Sequence, residues 1–460
     1  MERPSVISPP SPDRLGDRTG ATRVKGPIRR AAGAIQQGGA LVVERVPNPV
    51  LVLLLTLIIP TAMSFYVGTL RISPYRIVLL VMTPILFIQL ITGGAGKVTF
   101  SDRLVLASTF WMWAALVVND GGQGIESGGI GFLETCGAFL IARCCIRTAG
   151  QWVATATVMG VIIAAMAPLV VFESLSGVQV IKLFFVGHGP GGAIKESLLA
   201  KPRMGFYRAS GPFDHPILLG VISAAVTSAV GVMALRRWSV IALVPFTFIA
   251  TICSISSGAL AGLAVTGVLA SWEQITKSVP RRWVVFLIIF AIFYGIIEML
   301  SNRSALVAVL SVVTLNPKTA MDRTIIWEWG FHYNAVVHPY FGLGKAGAFN
   351  WVRPGWLGES VDNYFLFLMI LHGIVAVAML LLAIVVKVRN AALAGKLPGV
   401  HGLASSWWIA MVAFVISGWT VALWNHAQIM FWFLLGAGSW IEQQYFADKA
   451  ARKGRKRVAS

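Results

Sequence analysis

The chain is 460 residues long, 56% hydrophobic and only 12% charged, with a mean hydropathy of +0.74; this excludes an ordinary soluble enzyme and describes a polytopic membrane protein. The formal net charge of +19 does not point to nucleic acid. Most of the excess lies in two terminal tails and in short turns between apolar segments, where basic residues set topology and meet anionic headgroups.

Residues 1–46, rich in Pro, Ser, Gly and Arg, read as a disordered basic tail whose last part, 31–46, lies along the membrane interface. The first apolar run begins too late and is too long for a cleavable signal peptide. About twelve apolar segments follow, most of roughly 17 to 22 residues, enough to cross a hydrocarbon core of about 30 Å as helices. They are 50–67, 77–94, 104–118, 128–146, 153–172, 217–235, 240–253, 259–271, 283–300, 361–386, 407–423 and 427–441. Residues 446–460 form a second basic tail. The expected fold class is all-α, an integral membrane domain over 47–445 with two long connections, 173–216 and 301–360, that carry short helices.

Lysine and arginine are retained in the cytoplasm. Here they fill both tails and every second connection: Lys97/Arg103, Arg143/Arg147, Arg236/Arg237, Lys277/Arg281/Arg282 and Lys387/Arg389/Lys396. Both termini are therefore expected in the cytoplasm and both long connections outside. Cys136, Cys144, Cys145 and Cys253 fall in or at the edges of spans, so no extracytoplasmic disulfide framework or zinc site can be built from them. No internal repeat and no matching pair of broken helices is apparent, which disfavours an inverted-repeat transporter.

The outer segments gather arginine, and fixed cations outside the lipid suit an anion. The first long connection holds the Gly-rich run 187–192, then Arg203, then Arg208-Ala-Ser-Gly211-Pro212-Phe213-Asp214-His215-Pro216. Gly211 and Pro212 impose a turn that fixes Arg208, and Pro216 opens the next helix. Arg203 and Arg208 either hold an anion or snorkel to headgroups, and His215 alone reads as a cap or packing residue. The turn Ser254-Ile255-Ser256-Ser257-Gly258 offers hydroxyls and a glycine where backbone can approach a ligand, although it is also an ordinary helix cap.

In the second connection, 304–314 is apolar but too short to cross and is expected on the membrane surface. A helix-like stretch from Asp322 carries Arg323, Trp327 and Trp329 and ends near His338-Pro339. Arg353 follows. Glu359-Ser-Val-Asp362-Asn363 then leads into the next span, where Asp362 is either an N-cap or a functional carboxylate. Most aromatics of this connection suit the interfacial belt; Trp327 and Trp351 are the candidate sugar platforms.

Arg208, Gly211, Phe213 and Pro216 form an Arg-x-x-Gly-x-Phe-x-x-Pro element. Ser256-Ser257-Gly258-Ala259 follows as a Ser-Arg-Gly-Ala-like turn, then Arg323 before Trp327, Pro339-x-x-Gly342-x-Gly344, and Asp362-Asn363 at the head of a span with Gly373 downstream. In this order, over roughly residues 201–382, they resemble the O-antigen ligase and O-antigen polymerase superfamily of bacterial envelope glycosyltransferases. Ser257 stands where the family has an arginine and Asp362 where it has a histidine. The first leaves one cation fewer for a lipid diphosphate; the second weakens transfer of the ligase mechanism and is compatible with a polymerase of capsule or exopolysaccharide repeats.

The resemblance implies a GT-C-like enzyme of the bacterial inner membrane with about twelve transmembrane helices. It would transfer glycosyl groups at the outer face from a polyprenyl-diphosphate-linked oligosaccharide. The lipid bilayer and a chain-length-regulating co-polymerase are its expected partners; no cofactor, metal or nucleic acid is expected. Arg208 and Arg323 would stabilise the departing diphosphate, with Arg203 and Arg353 assisting, because guanidinium stays charged and grips phosphate in forked pairs. Asp362 would take or orient the acceptor proton, although an unperturbed Asp, with a pKa of about 3.9, is a weak base at neutral pH; His338 and Glu359 are the alternatives. His215, Ser257, Trp327 and Asn363 complete the binding candidates.

The chain has no Asp-x-Asp pair to hold a metal on a nucleotide sugar. Three rival readings remain: a ligase moving a finished glycan, a flippase or transporter, and a structural member of an envelope complex. A transporter needs ionisable residues along a path through the spans, where the sequence offers little beyond Glu134 and Glu298.

Overall fold

Backbone surrounded by lipid must satisfy its own hydrogen bonds, and the apolar stretches of this chain do so as helices. A computed structural model describes residues 44–68, 70–185, 202–300, 317–395, 397, 400 and 402–459, with backbone alone at 317–320 and 453–459. The expected tail up to residue 43, the Gly-rich run 187–192 and the surface segment 304–314 lie outside the described residues.

In chain order the helices are α1 (Asn48–Thr56), α2 (Pro74–Ile91), α3 (Phe100–Phe132), α4 (Ala138–Cys145), α5 (Ala149–Ser176), α6 (Val180–Phe185), α7 (Pro216–Ala234), α8 (Leu243–Cys253) and α9 (Ser257–Ile275). They continue as α10 (Arg282–Leu300), α11 (Pro317–Gly330), α12 (Gly344–Phe349), α13 (Tyr364–His372), α14 (Ile374–Ala394), α15 (Leu403–Thr420), α16 (Asn425–Ala437) and α17 (Ser439–Ala459). Two short antiparallel hairpins are added, β1–β2 (Phe65–Val67, Leu70–Ile72) and β3–β4 (Pro202–Arg203, Phe206–Tyr207). Among the described residues seven helices are long and apolar enough to cross a membrane. The chain is a mostly helical membrane protein.

The structure redraws several expected spans. Segment 50–67 is helical only to Thr56, because Pro60 offers no N–H and disfavours helix at Ile59; the chain then makes a 3₁₀ turn and the β1–β2 hairpin. The connection expected at 119–127 narrows to a reversal at Gly121 (φ 56°, ψ −127°), with helical geometry on both sides of it. Phe110 and Phe132 have ring centroids 4.8 Å apart, whereas an unbroken helix would separate them by roughly 33 Å. Glycine permits this close return: a Cβ on Gly124 would lie 2.0 Å from the Leu116 carbonyl oxygen. Segment 361–386 is divided at Gly373 (φ 89°), and 427–441 at Gly438, after which α17 carries helix through the expected tail to Ala459.

Helix α7 is the most enclosed of the candidate spans and α10 the least. Four charges meet at one end of the bundle, all of them buried. Asp102 accepts from Arg143 Nε (2.8 Å) and Lys387 Nζ (3.1 Å), and Lys387 also reaches Glu442 (3.0 Å). Asn390 and Ser101 donate to Glu442 at 2.7 and 2.6 Å, and Arg143 caps the Ala95 and Lys97 carbonyls at 2.9 Å each. Two positive and two negative groups tie α3, α4, α14 and α17 together. From sequence Arg143 and Lys387 read as charges of short connections rather than as parts of one core.

Removing one partner would strand a buried carboxylate. Lys387→Ala is expected to cost about 3–5 kcal/mol, read as a fall in the thermal midpoint of the purified protein. Arg452→Ala should cost under about 1 kcal/mol, because the Arg452–Asp448 pair is 69% and 37% exposed.

Candidate functional site

The turn between α8 and α9 is three residues long, and Ile255 achieves it with φ 45°, a left-handed conformation that a β-branched residue adopts only when its surroundings impose it. Small residues allow that imposition. A Cβ on Gly220 of α7 would lie 2.4 Å from Ser254 Oγ; one on Gly258 would lie 2.6 Å from Thr420 Oγ1; one on Gly262 would lie 2.7 Å from Ser417 Oγ. Ser417 also donates to the Gly258 carbonyl at 3.0 Å. Helices α7 and α15 thus clamp the head of α9.

Ser256 is the N-cap residue of α9 but makes no side-chain cap bond, and its hydroxyl is buried without a partner. The first N–H groups of a helix have no partner within the helix and carry partial positive charge. Together they form a ready seat for an anion.

Three guanidinium groups reach this turn from two distant parts of the chain. The β3–β4 hairpin turns through Met204 (φ 54°) and Gly205 (φ 83°) and presents Arg203, whose Nη1 donates to the Ile255 carbonyl at 3.3 Å. Arg208 Nε donates to the Ser254 carbonyl at 3.3 Å. From α11, Arg323 Nη2 donates to Ser257 Oγ at 3.4 Å, while its Nε and Nη1 are buried without a partner. Burial, reinforced by the charge of Arg203, brings Arg208 down to about 10. Burial also lowers Arg323, opposed by Asp362 and aided by Arg203. Arg203 is therefore within electrostatic reach of both. Among the described residues none of the three is salt-bridged to a carboxylate.

Asp362 is the acidic group beside this cluster. Ser360 Oγ donates to its Oδ1 at 2.8 Å, and the N-cap role at α13 belongs to Asn363, whose Oδ1 accepts from Leu366 N at 3.0 Å. The capping alternative for Asp362 is removed. Asp362 is half-buried, and two residues on, Tyr364 N donates to the Val421 carbonyl at 3.1 Å, next to the residues that clamp α9.

The second connection is held by its own small core, in which Ile326, Ala348, Trp351, Leu357 and Val361 pack against Leu366 and Ile370. Asn334 ties its strands by donating to the Trp329 and Val352 carbonyls and accepting from Val352 N. The Pro-x-x-Gly-x-Gly element docks on the break between α13 and α14: Leu343 N donates to Ile370 O (2.8 Å) and Ile374 N to Pro339 O (2.7 Å). A Cβ on Gly373 would lie 2.2 Å from the Tyr340 oxygen, so these glycines serve close backbone contact.

Other candidates lie elsewhere. His215 caps α7, its Nδ1 accepting from Ile217 N at 3.2 Å. Arg353 pairs with Glu359 at 3.3 Å and donates to the Leu357 and Trp351 carbonyls; both its charge and that of Glu359 are spent within their own loop. Trp351 is 2% exposed and cannot stack on a sugar. Trp327, one turn after Arg323 on α11, is half-buried, stacked on Phe331 and met at a tilt by Trp419, with ring centroids 5.4 Å away in each case. His338 is exposed, and no contact joins it to the arginines. Sequence reasoning missed Ser256 as distinct from Ser257; the signal is its place one residue before a helix.

The arrangement gives a pH signature. Sulfate keeps a constant charge near this range and is expected to bind the purified protein at neutral pH. The affinity should weaken as pH rises toward about 10, the range to which burial beside Arg203 lowers Arg208, while Arg203 and Arg323 remain at the turn. A calorimetric profile that stays flat across that value would remove Arg208 from the site. No protein-family model matches the chain, and no curated protein matches its sequence, so function is argued from this chemistry.

Proposed function

We propose that this chain is an integral-membrane glycosyltransferase that polymerises polyprenyl-diphosphate-linked oligosaccharide repeats into a surface polysaccharide. The observation that carries the reading is the meeting of Arg203, Arg208 and Arg323 at the head of α9 with, among the described residues, no salt-bridged carboxylate. Uncompensated, partly desolvated guanidiniums raise the free energy of the empty site, and a diphosphate relieves it.

A diphosphate is already a good leaving group, so catalysis needs fixed donors where charge builds up. The acceptor hydroxyl oxygen attacks the anomeric carbon from the side opposite the diphosphate, and the glycosidic C–O bond breaks with inversion. Its electron pair departs with the polyprenyl diphosphate, held by Arg208, Arg323 and the helix head. The hydroxyl proton passes to Asp362, which also orients the attacking oxygen. Polymerisation is favoured over ligation by Asp362 in the place where the resembled superfamily carries a histidine.

The reading includes a GT-C-like topology. Counting both arms of the Gly121 reversal, the shorter helices α1, α8 and α16, and the less apolar α9 with the seven candidate spans gives about twelve crossings. Basic residues in alternate connections then place the termini in the cytoplasm and the arginines at the outer face of a bacterial inner membrane. A chain-length-regulating co-polymerase would act beside it.

Purified protein supplied with a synthetic prenyl-diphosphate oligosaccharide tests this. Arg208→Ala and Arg323→Ala should each lower chain extension roughly 10²–10³-fold, whereas Arg353→Ala, already engaged by Glu359, should have a far smaller effect. A chelator should leave the rate unchanged. Equal activity of all three variants at normal protein level would end the proposal, and transfer to an unrelated acceptor without extension would make the chain a ligase.

A further inference from the structure

The segment that carries Arg208 has no helix or sheet of its own to fix it, yet its backbone is anchored at almost every residue. Ser174 Oγ donates to the Tyr207 carbonyl at 3.0 Å, and Ala209 N donates to the Cys253 carbonyl at 3.0 Å. The next two residues are held by one carboxylate. Glu173 Oε1 accepts from Ser210 N (2.8 Å) and Ser210 Oγ (3.1 Å), and its Oε2 accepts from Gly211 N (3.0 Å). Glu173 stands near the end of α5 and is 1% exposed.

Consecutive N–H groups that converge on one point form an anion-binding nest. Gly211, at φ 55°, supplies the left-handed residue such a nest requires, so the protein fills it with its own carboxylate. The chemistry of this contact is specific. Both oxygens accept, and every donor comes from the turn immediately after Arg208. An amide of the same shape could keep the Ser210 contacts but would turn an N–H toward the Gly211 N–H, replacing attraction by repulsion. A buried charge-assisted pair of bonds is also among the stronger contacts available to a loop.

We infer that Glu173 is a positioning residue for Arg208: its carboxylate, accepting through both oxygens, locks the Ser210–Gly211 nest and thereby sets the guanidinium against the Ser254 carbonyl at the head of α9. This rests on the reading that Arg208 belongs to the anion site. Glu173 does not touch the anion. It acts by holding the Arg208 backbone at the spacing from α9 that the 3.3 Å contact to Ser254 records, and loss of that spacing removes Arg208 from the site as fully as truncating it.

The test uses full-length detergent-purified protein, inorganic pyrophosphate as the probe and amide hydrogen exchange as a readout independent of ligand. Glu173→Gln should speed exchange at residues 209–211 and weaken pyrophosphate binding about as much as Arg208→Ala, by roughly tenfold. The double variant should bind no more weakly than Arg208→Ala alone, because contacts that act as a unit are not additive. Glu173→Asp, one methylene shorter, should show the same non-additivity in smaller degree and serves if Glu173→Gln does not accumulate. Losses that simply add, or wild-type affinity in Glu173→Gln, would overturn the inference, as would unchanged exchange at 209–211. Should wild-type protein bind no pyrophosphate, the diphosphate reading fails instead; the exchange data and the rate at which phenylglyoxal modifies Arg208, expected to rise in Glu173→Gln, then decide the positioning role separately.

Discussion

The head of α9 can be where it is because glycine backbone there meets small side chains, Ser254, Thr420 and Ser417, at close range. Gly220, Gly258 and Gly262 remove the side chains that would hold α7 and α15 away, and without water in the bilayer to drive apolar association, close packing of this kind is a main source of helix–helix affinity. The clamp forces the Ser254–Ser256 turn into three residues and strains Ile255 into a positive φ. The same constraint exposes the carbonyls of Ser254 and Ile255 to the incoming arginines and leaves the Ser256 hydroxyl unpaired. Every polar feature of the candidate site follows from that approach.

The two ends of the bundle handle charge in opposite ways. Asp102, Arg143, Lys387 and Glu442 form a closed set whose attractions offset their desolvation, and such a set holds helices in register while offering nothing to a ligand. At the other end, beyond the roughly 20 Å of α14 that separate Ile374 from Lys387, Arg203, Arg208 and Arg323 crowd together with Asp362 as a counter-charge near Arg323 and, among the described residues, no salt bridge to any carboxylate. An arrangement that is unfavourable when empty persists because clamps remote from the charges impose it. Glu173 on one side and the small core under Trp351 on the other are those clamps.

Much of the helical framework was legible in the chain because apolar length translates directly into helix when lipid is the solvent. Breaks were less legible: Pro60, Gly373 and Gly438 each interrupt an apolar run, and a glycine within such a run has the same appearance whether it kinks, divides a helix or merely packs. The site was legible as a set of arginines but not as a constellation. Arg353 read in sequence as an assistant to Arg208 and Arg323, and what takes it from that role is its own loop, where it pairs with Glu359 and donates to the Leu357 and Trp351 carbonyls. Trp351 looked like a sugar platform and is the centre of a loop core, since an aromatic ring declares nothing about which of its faces is covered.

Composition and the spacing of apolar runs by themselves determined that this chain is a helical membrane protein with its arginines gathered in polar connections, because the cost of placing polar groups in hydrocarbon leaves few alternatives. Which arginines meet was decided only by the tertiary structure. Arg203 and Arg323 are separated by more than a hundred residues, and their convergence depends on how closely glycine lets α7, α9 and α15 approach, a distance that no local pattern encodes. Asn363 taking the helix cap and thereby freeing Asp362 was settled in the same way, by the geometry of one turn against its neighbours.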